Sequence, residues 1–169
     1  MEKIFGLIGQ TVSHSFSKSY FDEKFFREGL RDHHYELFPL KNIKEIEDLI
    51  QTTKGLSGLN VTIPYKEQVM DFLDEVDPAA KKIGAVNVIK IQNGKRKGFN
   101  TDMDAFYETI EKWLPKDKKF RALILGTGGS SKSVQEALIK LKVSYKLVSR
   151  QASKDQYTYS ELEKNPKII

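Results

Sequence analysis

The spacing of apolar residues divides the chain into strand and helix units. Lys3 to Ile8 is a nearly continuous apolar run and predicts a buried strand. Ser17 to Gly29 predicts a helix, with Tyr20, Phe21, Phe25 and then Leu30 on one face and Gly29 as a stop signal. A strand over His34 to Phe38 follows, then a helix over Ile43 to Gln51 with Ile43, Ile46, Leu49 and Ile50 turned inward. Gly58 to Thr62 predicts a short strand. Pro64 is placed to open the next helix, because its missing N–H costs nothing in a first turn. Val69, Phe72, Leu73 and Val76 give that helix an apolar face, and Asp77-Pro78 starts a further helical turn.

Asn87 to Ile91 and Lys95 to Phe99 flank Asn93-Gly94, a hairpin signal. A helix is expected from Asp102 to Leu114, capped by Asn100 or Thr101. Pro115-Lys116-Asp117-Lys118-Lys119 breaks the pattern and reads as a linker. The register then restarts: strand Arg121 to Leu125, a glycine turn, helix Ser130 to Leu141, strand Tyr145 to Val148. Asn165 to Ile169 reads as the start of a third strand. Strands alternating with helices imply an α/β fold with a mainly parallel sheet. The second group holds one βαβ, whereas a dinucleotide domain uses two βαβαβ halves. The chain is therefore expected to be part of a longer polypeptide.

Composition narrows the function class. The 169 residues are 39% hydrophobic and 30% charged, as in a folding domain. The net charge of +5 comes from interspersed acids and bases, and Lys95-Arg96-Lys97 is the tightest basic stretch. A mixed charged surface is the reading, without nucleic-acid binding. A moderate positive field suits anionic small molecules. No apolar run reaches the ~20 residues of a membrane helix, and the N-terminal stretch reads as a strand, not a signal peptide. The absence of cysteine excludes disulfides and thiolate metal ligands, and a cytoplasmic location is expected.

The chemistry-bearing residues fall at strand exits. Lys66 ends Asn60-Val61-Thr62-Ile63-Pro64-Tyr65-Lys66, and Asp102 ends Asn100-Thr101-Asp102. These two supply one proton carrier of each sign. Lys66 is expected in a first helical turn, whose positive field would ease proton loss. Taken alone, Lys66 is also a solvated lysine and Asp102 a first-turn acid. Ser15 and Ser17 are two apart, so in extended backbone their hydroxyls point the same way and suit a carboxylate. On the residues alone, the helix N-cap is the favoured reading of Ser17. Asn60, Thr62 and Asn87 are polar residues at further strand exits, where turn chemistry is the ordinary role. Gly126-Thr127-Gly128-Gly129 lies between a strand and a helix, the setting of a phosphate-cradling turn. Ser131 stands where a third glycine is usual. Ser149-Arg150 ends the next strand, where an arginine suits a ribose 2′-phosphate; Lys154 is a candidate assistant.

Taken in order, Gly6-Leu7-Ile8-Gly9 with Val12-Ser13-His14-Ser15-Phe16-Ser17, then Asn60 to Lys66, Gly84-Ala85-Val86-Asn87, Asn100-Thr101-Asp102, and Gly126 to Gly129 with Val148-Ser149-Arg150 resemble the shikimate dehydrogenase family from about Ile4 to Arg150. The chain departs from the family pattern at Lys18, where proline is usual, and at Phe21-Asp22, where His-Asn is common. The resemblance implies an N-terminal α/β substrate domain over residues 1–103 and a Rossmann-like dinucleotide domain, incomplete in this chain, over 104–169. It implies reversible reduction of 3-dehydroshikimate to shikimate with NADPH, a step toward aromatic amino acids. By resemblance, Lys66 and Asp102 are catalytic, with Lys66 the proton donor or acceptor and Asp102 its polar partner. Ser15 and Ser17 hold the substrate carboxylate, and Asn60, Thr62 and Asn87 its ring hydroxyls. Gly126, Thr127, Gly128, Gly129, Ser149 and Arg150 bind NADP. No metal and no membrane or nucleic-acid partner is expected, and the protein is expected to be a monomer or homodimer. The rivals are a quinate/shikimate dehydrogenase and a non-catalytic ligand-binding relative, which would lack Lys66 or Asp102.

Overall fold

The computed structural model describes residues 2–115, 118–151, 153 and 156–165. The central residues of the expected linker (Lys116 and Asp117), the candidate Lys154 and the expected third strand over Pro166 to Ile169 lie outside the described residues. The chain forms two compact units, Met1–Asn100 and Thr101–Ile169.

The first unit runs β1 (Lys3–Gly9), α1 (Ser17–Arg27), β2 (His33–Pro39), α2 (Glu45–Thr52), β3 (Leu56–Val61), a 3-10 helix (Gln68–Phe72), β4 (Glu75–Val76), α3 (Pro78–Ile83), β5 (Val88–Gln92) and β6 (Lys95–Phe99). These strands form one sheet in the order β2-β1-β3-β5-β6-β4. β1 is parallel to β2 and β3, and β4 to β6; β5 runs antiparallel to both β3 and β6. Both faces of β1 are buried, which explains its unbroken apolar run. Ile8 packs on one face with Ile46, Leu59, Val61, Val69 and Ile89. Leu7 packs on the other with Val12, Phe25 and Tyr35. The β5–β6 turn places Asn93 and Gly94 at φ 52° and 74°, the left-handed pair that a two-residue hairpin needs. Asp77 caps α3 as expected, its carboxylate accepting from the Ala79 N–H at 2.9 Å.

The helix expected after Pro64 does not form. Pro64 follows a cis peptide bond and lies in a turn. Beyond it come the short 3-10 helix and the two-residue β4, whose Val76 pairs with Gly98 of β6. Val69, Phe72, Leu73 and Val76 all pack on the core, so the apolar spacing was real. A spacing of three and four residues does not separate an α-helix from a 3-10 turn followed by an edge strand.

The second unit contains α4 (Asp102–Trp113), β7 (Arg121–Leu125), α5 (Gly129–Lys140), β8 (Ser144–Ser149), β9 (Gln156–Thr158) and α6 (Tyr159–Lys164). Its sheet is parallel, in the order β7-β8-β9. β9 and α6 were not read from the sequence. The return from β8 to β9 takes only residues 150–155, far less than the dozen or more usual for a parallel crossover. It suffices because the three residues of β9 pair with the last ones of β8, Leu147 to Ser149. Thr158 then caps α6 in a reciprocal box with Glu161.

Candidate functional site

In the first unit, the predicted substrate residues gather at the rim where the parallel strands β1 and β3 end, the usual ligand side of such a sheet. Ser15 and Ser17 follow β1. The backbone between them is helical, with Phe16 at φ −74° and ψ −12°, not extended as expected. The hydroxyls still meet: Ser15 Oγ donates to Ser17 Oγ at 3.1 Å and accepts from the Ser17 N–H at 3.1 Å. The N-cap position belongs to Phe16, without a side-chain cap bond, so Ser17 is not the cap. Lys18, in the usual place of proline, donates to the Tyr35 carbonyl at 2.6 Å and pairs with Glu36 at 3.3 Å, tying α1 to β2.

Tyr35 joins this cluster. Its hydroxyl donates to Asn60 Oδ1 at 2.7 Å, and its ring stacks on Phe21 at 4.5 Å. The residue is 1% exposed. Burial pushes its hydroxyl up to about 12, while neighbouring Ser17 pulls the other way. A neutral phenol thus fixes the Asn60 carboxamide with its amide nitrogen still able to donate. The sequence offered one signal for this role, a tyrosine in a buried strand, whose hydroxyl must find a partner.

Thr62 extends β3 by donating its N–H to the Ile8 carbonyl at 2.9 Å. Asn87 is 8% exposed. Its N–H donates to Phe99 O at 3.0 Å and its carbonyl accepts from Val61 N at 2.9 Å, knitting three strands together at this rim. Lys66 sits half-buried in the turn after β3. That position removes the α-helix dipole argument for its acidity, because no α-helix begins there. The turn is held firmly instead: Tyr65 is buried and donates to Leu40 O at 2.7 Å, and Lys66 O accepts from Val86 N at 2.7 Å. Asn100 donates from Nδ2 to Ala85 O at 2.9 Å. Asp102 is the first residue of α4 and belongs to the second unit; Thr101, in the N-cap position, makes no side-chain cap bond.

In the second unit, the predicted cofactor residues surround one cleft of about 1090 Å³ lined by Gly126, Thr127, Gly128, Ser149, Arg150, Gln151 and Tyr159. Gly129 lies just behind it as the first residue of α5. Gly126 has φ +109°, which favours glycine. A β-carbon at Gly126 or Gly128 would meet nothing within 4 Å, so the backbone here is open to close approach. α5 starts at this turn without a side-chain cap, and the positive end of a helix suits an anion. Ser131, in the place of a third glycine, turns its hydroxyl back to Gly128 O at 2.8 Å and leaves the cleft clear. Among the described residues, Arg150 has no carboxylate partner. The features a bound dinucleotide phosphate requires are therefore present: open backbone, a helix start and a cation. Gln151 and Tyr159 were not read from the sequence, because their place depends on the short β8–β9 return.

The family of the shikimate dehydrogenase substrate binding domain matches residues 7–89. Shikimate dehydrogenase (NADP(+)) of Clostridium perfringens is 40% identical over 156 residues, covering 90% of this chain and 56% of that protein. The chain belongs to the shikimate dehydrogenase family. Shikimate dehydrogenase 1 from Peptoclostridium difficile, solved by crystallography, superimposes with a TM-score of 0.82 at 33% identity, over 95% of this chain and 62% of that one. The shikimate dehydrogenase of Thermus thermophilus, crystallised with NADP(H) and shikimate, gives 0.77 at 31% identity, over 88% and 56%. The chain spans about half the length of the curated shikimate dehydrogenases it matches. The stretch matched by the family contains Ser15, Ser17, Asn60, Thr62, Lys66 and Asn87. Among the described residues, no helix is long and apolar enough to cross a membrane.

Proposed function

We propose that this chain carries the substrate site and the phosphate-binding part of the NADP site of a shikimate dehydrogenase, acting in the cytoplasm on 3-dehydroshikimate and shikimate. The observation that carries this reading is the cluster of Ser15, Ser17, Tyr35 and Asn60 on the same rim as the Lys66 turn. Two hydroxyls 3.1 Å apart suit the two oxygens of a carboxylate. Asn60, Thr62 and Asn87 then face the ring hydroxyls, with Asn60 held in one orientation by Tyr35. Lys66 hands a proton from Nζ to the oxygen of the carbonyl being reduced, and takes it back in the reverse direction. Asp102 is assigned as its polar partner on the family resemblance. NADPH, when bound, supplies the hydride. Gly126, Thr127, Gly128 and Gly129 hold its phosphates through backbone N–H groups, and Ser149 and Arg150 hold the ribose 2′-phosphate.

The domain roles follow the same reading, with the substrate domain over residues 1–103 and the dinucleotide domain from 104. The test is absorbance of NADPH formed from shikimate and NADP, with quinate and NAD in parallel. Turnover on shikimate with NADP supports the assignment. Preference for quinate would move the protein to the quinate/shikimate branch. Failure to bind shikimate in an equilibrium titration would overturn the substrate site; binding without turnover would leave that site in place, because the chain spans about half the length of the matching enzymes.

A further inference from the structure

We propose that the Tyr159 ring is the platform on which the adenine base of the phosphorylated dinucleotide stacks. The inference deepens the NADP reading and rests on it. The cleft at the ends of β7 and β8 is lined almost entirely by backbone and polar groups: Gly126, Thr127, Gly128, Ser149, Arg150 and Gln151. These serve phosphates and leave nothing flat and apolar for a purine. Tyr159 is the one aromatic residue on the wall among the described residues, and it is 40% exposed.

Its position follows from the short return between β8 and β9. Ser149 and Thr158 are register partners on adjacent parallel strands, which run about 5 Å apart. Arg150 and Tyr159 each stand one residue beyond that pair, so they leave the sheet side by side at the same level. A longer crossover would free β9 to pair elsewhere along β8 and lose this match. Thr158 and Glu161 are spent on each other in the capping box, with Thr158 N donating to Glu161 Oε2 at 2.6 Å. The box fixes the backbone from which Tyr159 projects, and its carboxylate is held on Thr158.

The ligand's own connectivity completes the argument. In a 2′-phosphorylated adenosine, the phosphate and the base sit on neighbouring ribose carbons. A phosphate anchored on Arg150 therefore delivers the purine beside whatever stands next to Arg150, and that is the Tyr159 ring. Stacking between a base and an aromatic side chain is a general, sequence-tolerant attraction.

The probe is adenosine 2′,5′-bisphosphate, titrated calorimetrically into the protein and its Tyr159→Leu, Tyr159→Phe and Arg150→Ala variants. Tyr159→Leu is expected to weaken binding roughly tenfold, the scale of one lost stack, and Tyr159→Phe to bind like the parent. In proton NMR, the adenine H2 and H8 signals should move upfield on binding to the parent and to Tyr159→Phe, and this ring-current shift should vanish with Tyr159→Leu. Equal affinity for Tyr159→Leu, or no upfield shift with the parent, overturns the platform. If Arg150→Ala loses binding while Tyr159→Leu does not, the platform alone fails. If the parent does not bind the probe, or Arg150→Ala binds it as well as the parent, the NADP reading fails as well.

Discussion

Replacing Tyr35 by Phe removes one oxygen from the middle of the proposed carboxylate and hydroxyl site while keeping the ring on Phe21. The lost interaction is the 2.7 Å bond to Asn60 Oδ1. A neutral hydrogen bond contributes about 1 kcal/mol net, and a buried acceptor left without its donor costs about 1–3 kcal/mol. Tyr35→Phe should therefore lower the unfolding free energy by about 1–3 kcal/mol at neutral pH. The pH dependence has a definite sign. The Tyr35 hydroxyl is pushed up to about 12, against ~10 for a solvated phenol in the unfolded chain. The folded value is the higher one, so the contribution of the neutral phenol is complete below ~10 and declines as pH climbs toward about 12. The separation of the two values corresponds to about 2–3 kcal/mol. The stability gap between the parent and Tyr35→Phe should thus be open at pH ~9 and closed or reversed by pH ~12. Urea unfolding of both proteins, followed by circular dichroism at matched pH, measures it. A gap that stays constant across that range, or no gap at neutral pH, would refute the reasoning. With Asn60 free to turn, KM for shikimate should rise more than kcat falls; the reverse split would place Tyr35 in the chemical step.

The remaining expectations concern the other groups. Lys66→Ala should reduce kcat on shikimate by roughly 10²–10⁴-fold, the scale of general acid–base catalysis, with NADP affinity retained in an equilibrium titration; near-normal turnover would remove Lys66 from catalysis. Arg150→Ala should weaken NADP binding by roughly 10–100-fold, the worth of a charge-assisted hydrogen bond, and NAD binding little; equal losses would argue against a 2′-phosphate contact. Gly128→Val should leave the thermal midpoint nearly unchanged, because φ −77° and ψ −179° accept a branched residue and the β-carbon meets nothing. NADP binding should be blocked, and intact binding would show that the ligand does not approach there. Asp74 accepts from the Arg96 N–H at 2.6 Å and from its guanidinium at 3.4 Å, which holds the carboxyl below its ordinary 3.8. Its folded value is the lower one, so its contribution stands above that pH and fades as pH falls further. Asp74→Asn should accordingly be less stable than the parent at neutral pH and converge with it in acid; parallel curves would contradict this.

The sequence carried most of the first unit because its strands and α1, α2 and α3 are marked by local chemistry: a doubly buried β1, the Asp77-Pro78 cap, the Asn93-Gly94 turn. The stretch after Pro64 was misread because burial of Val69, Phe72 and Val76 is achieved by two short elements that share the spacing of one helix. Ser15 and Ser17 were paired for the wrong backbone reason, and the hydroxyls nevertheless meet through a helical Phe16. Tyr35 was legible as core but not as a polar partner of Asn60, because that contact reaches across β1 from β2 to β3. β9 and Tyr159 were hidden by the brevity of the β8–β9 return, which contains no helical periodicity to announce a parallel neighbour.

The antiparallel course of β5 has a practical consequence. Val88 faces Phe99 at one end of the hairpin and Gln92 faces Lys95 at the other, so Asn87 shares its rim with the end of β3 while the Asn93-Gly94 tip sits at the far margin of the sheet. Both tip residues are exposed, and a β-carbon on Gly94 would touch nothing within 4 Å. The tip is thus a natural handle for a fluorophore, an affinity peptide or a surface tether. An attachment there would sit at the end of the sheet away from the margin that carries the serines, carboxamides and lysine.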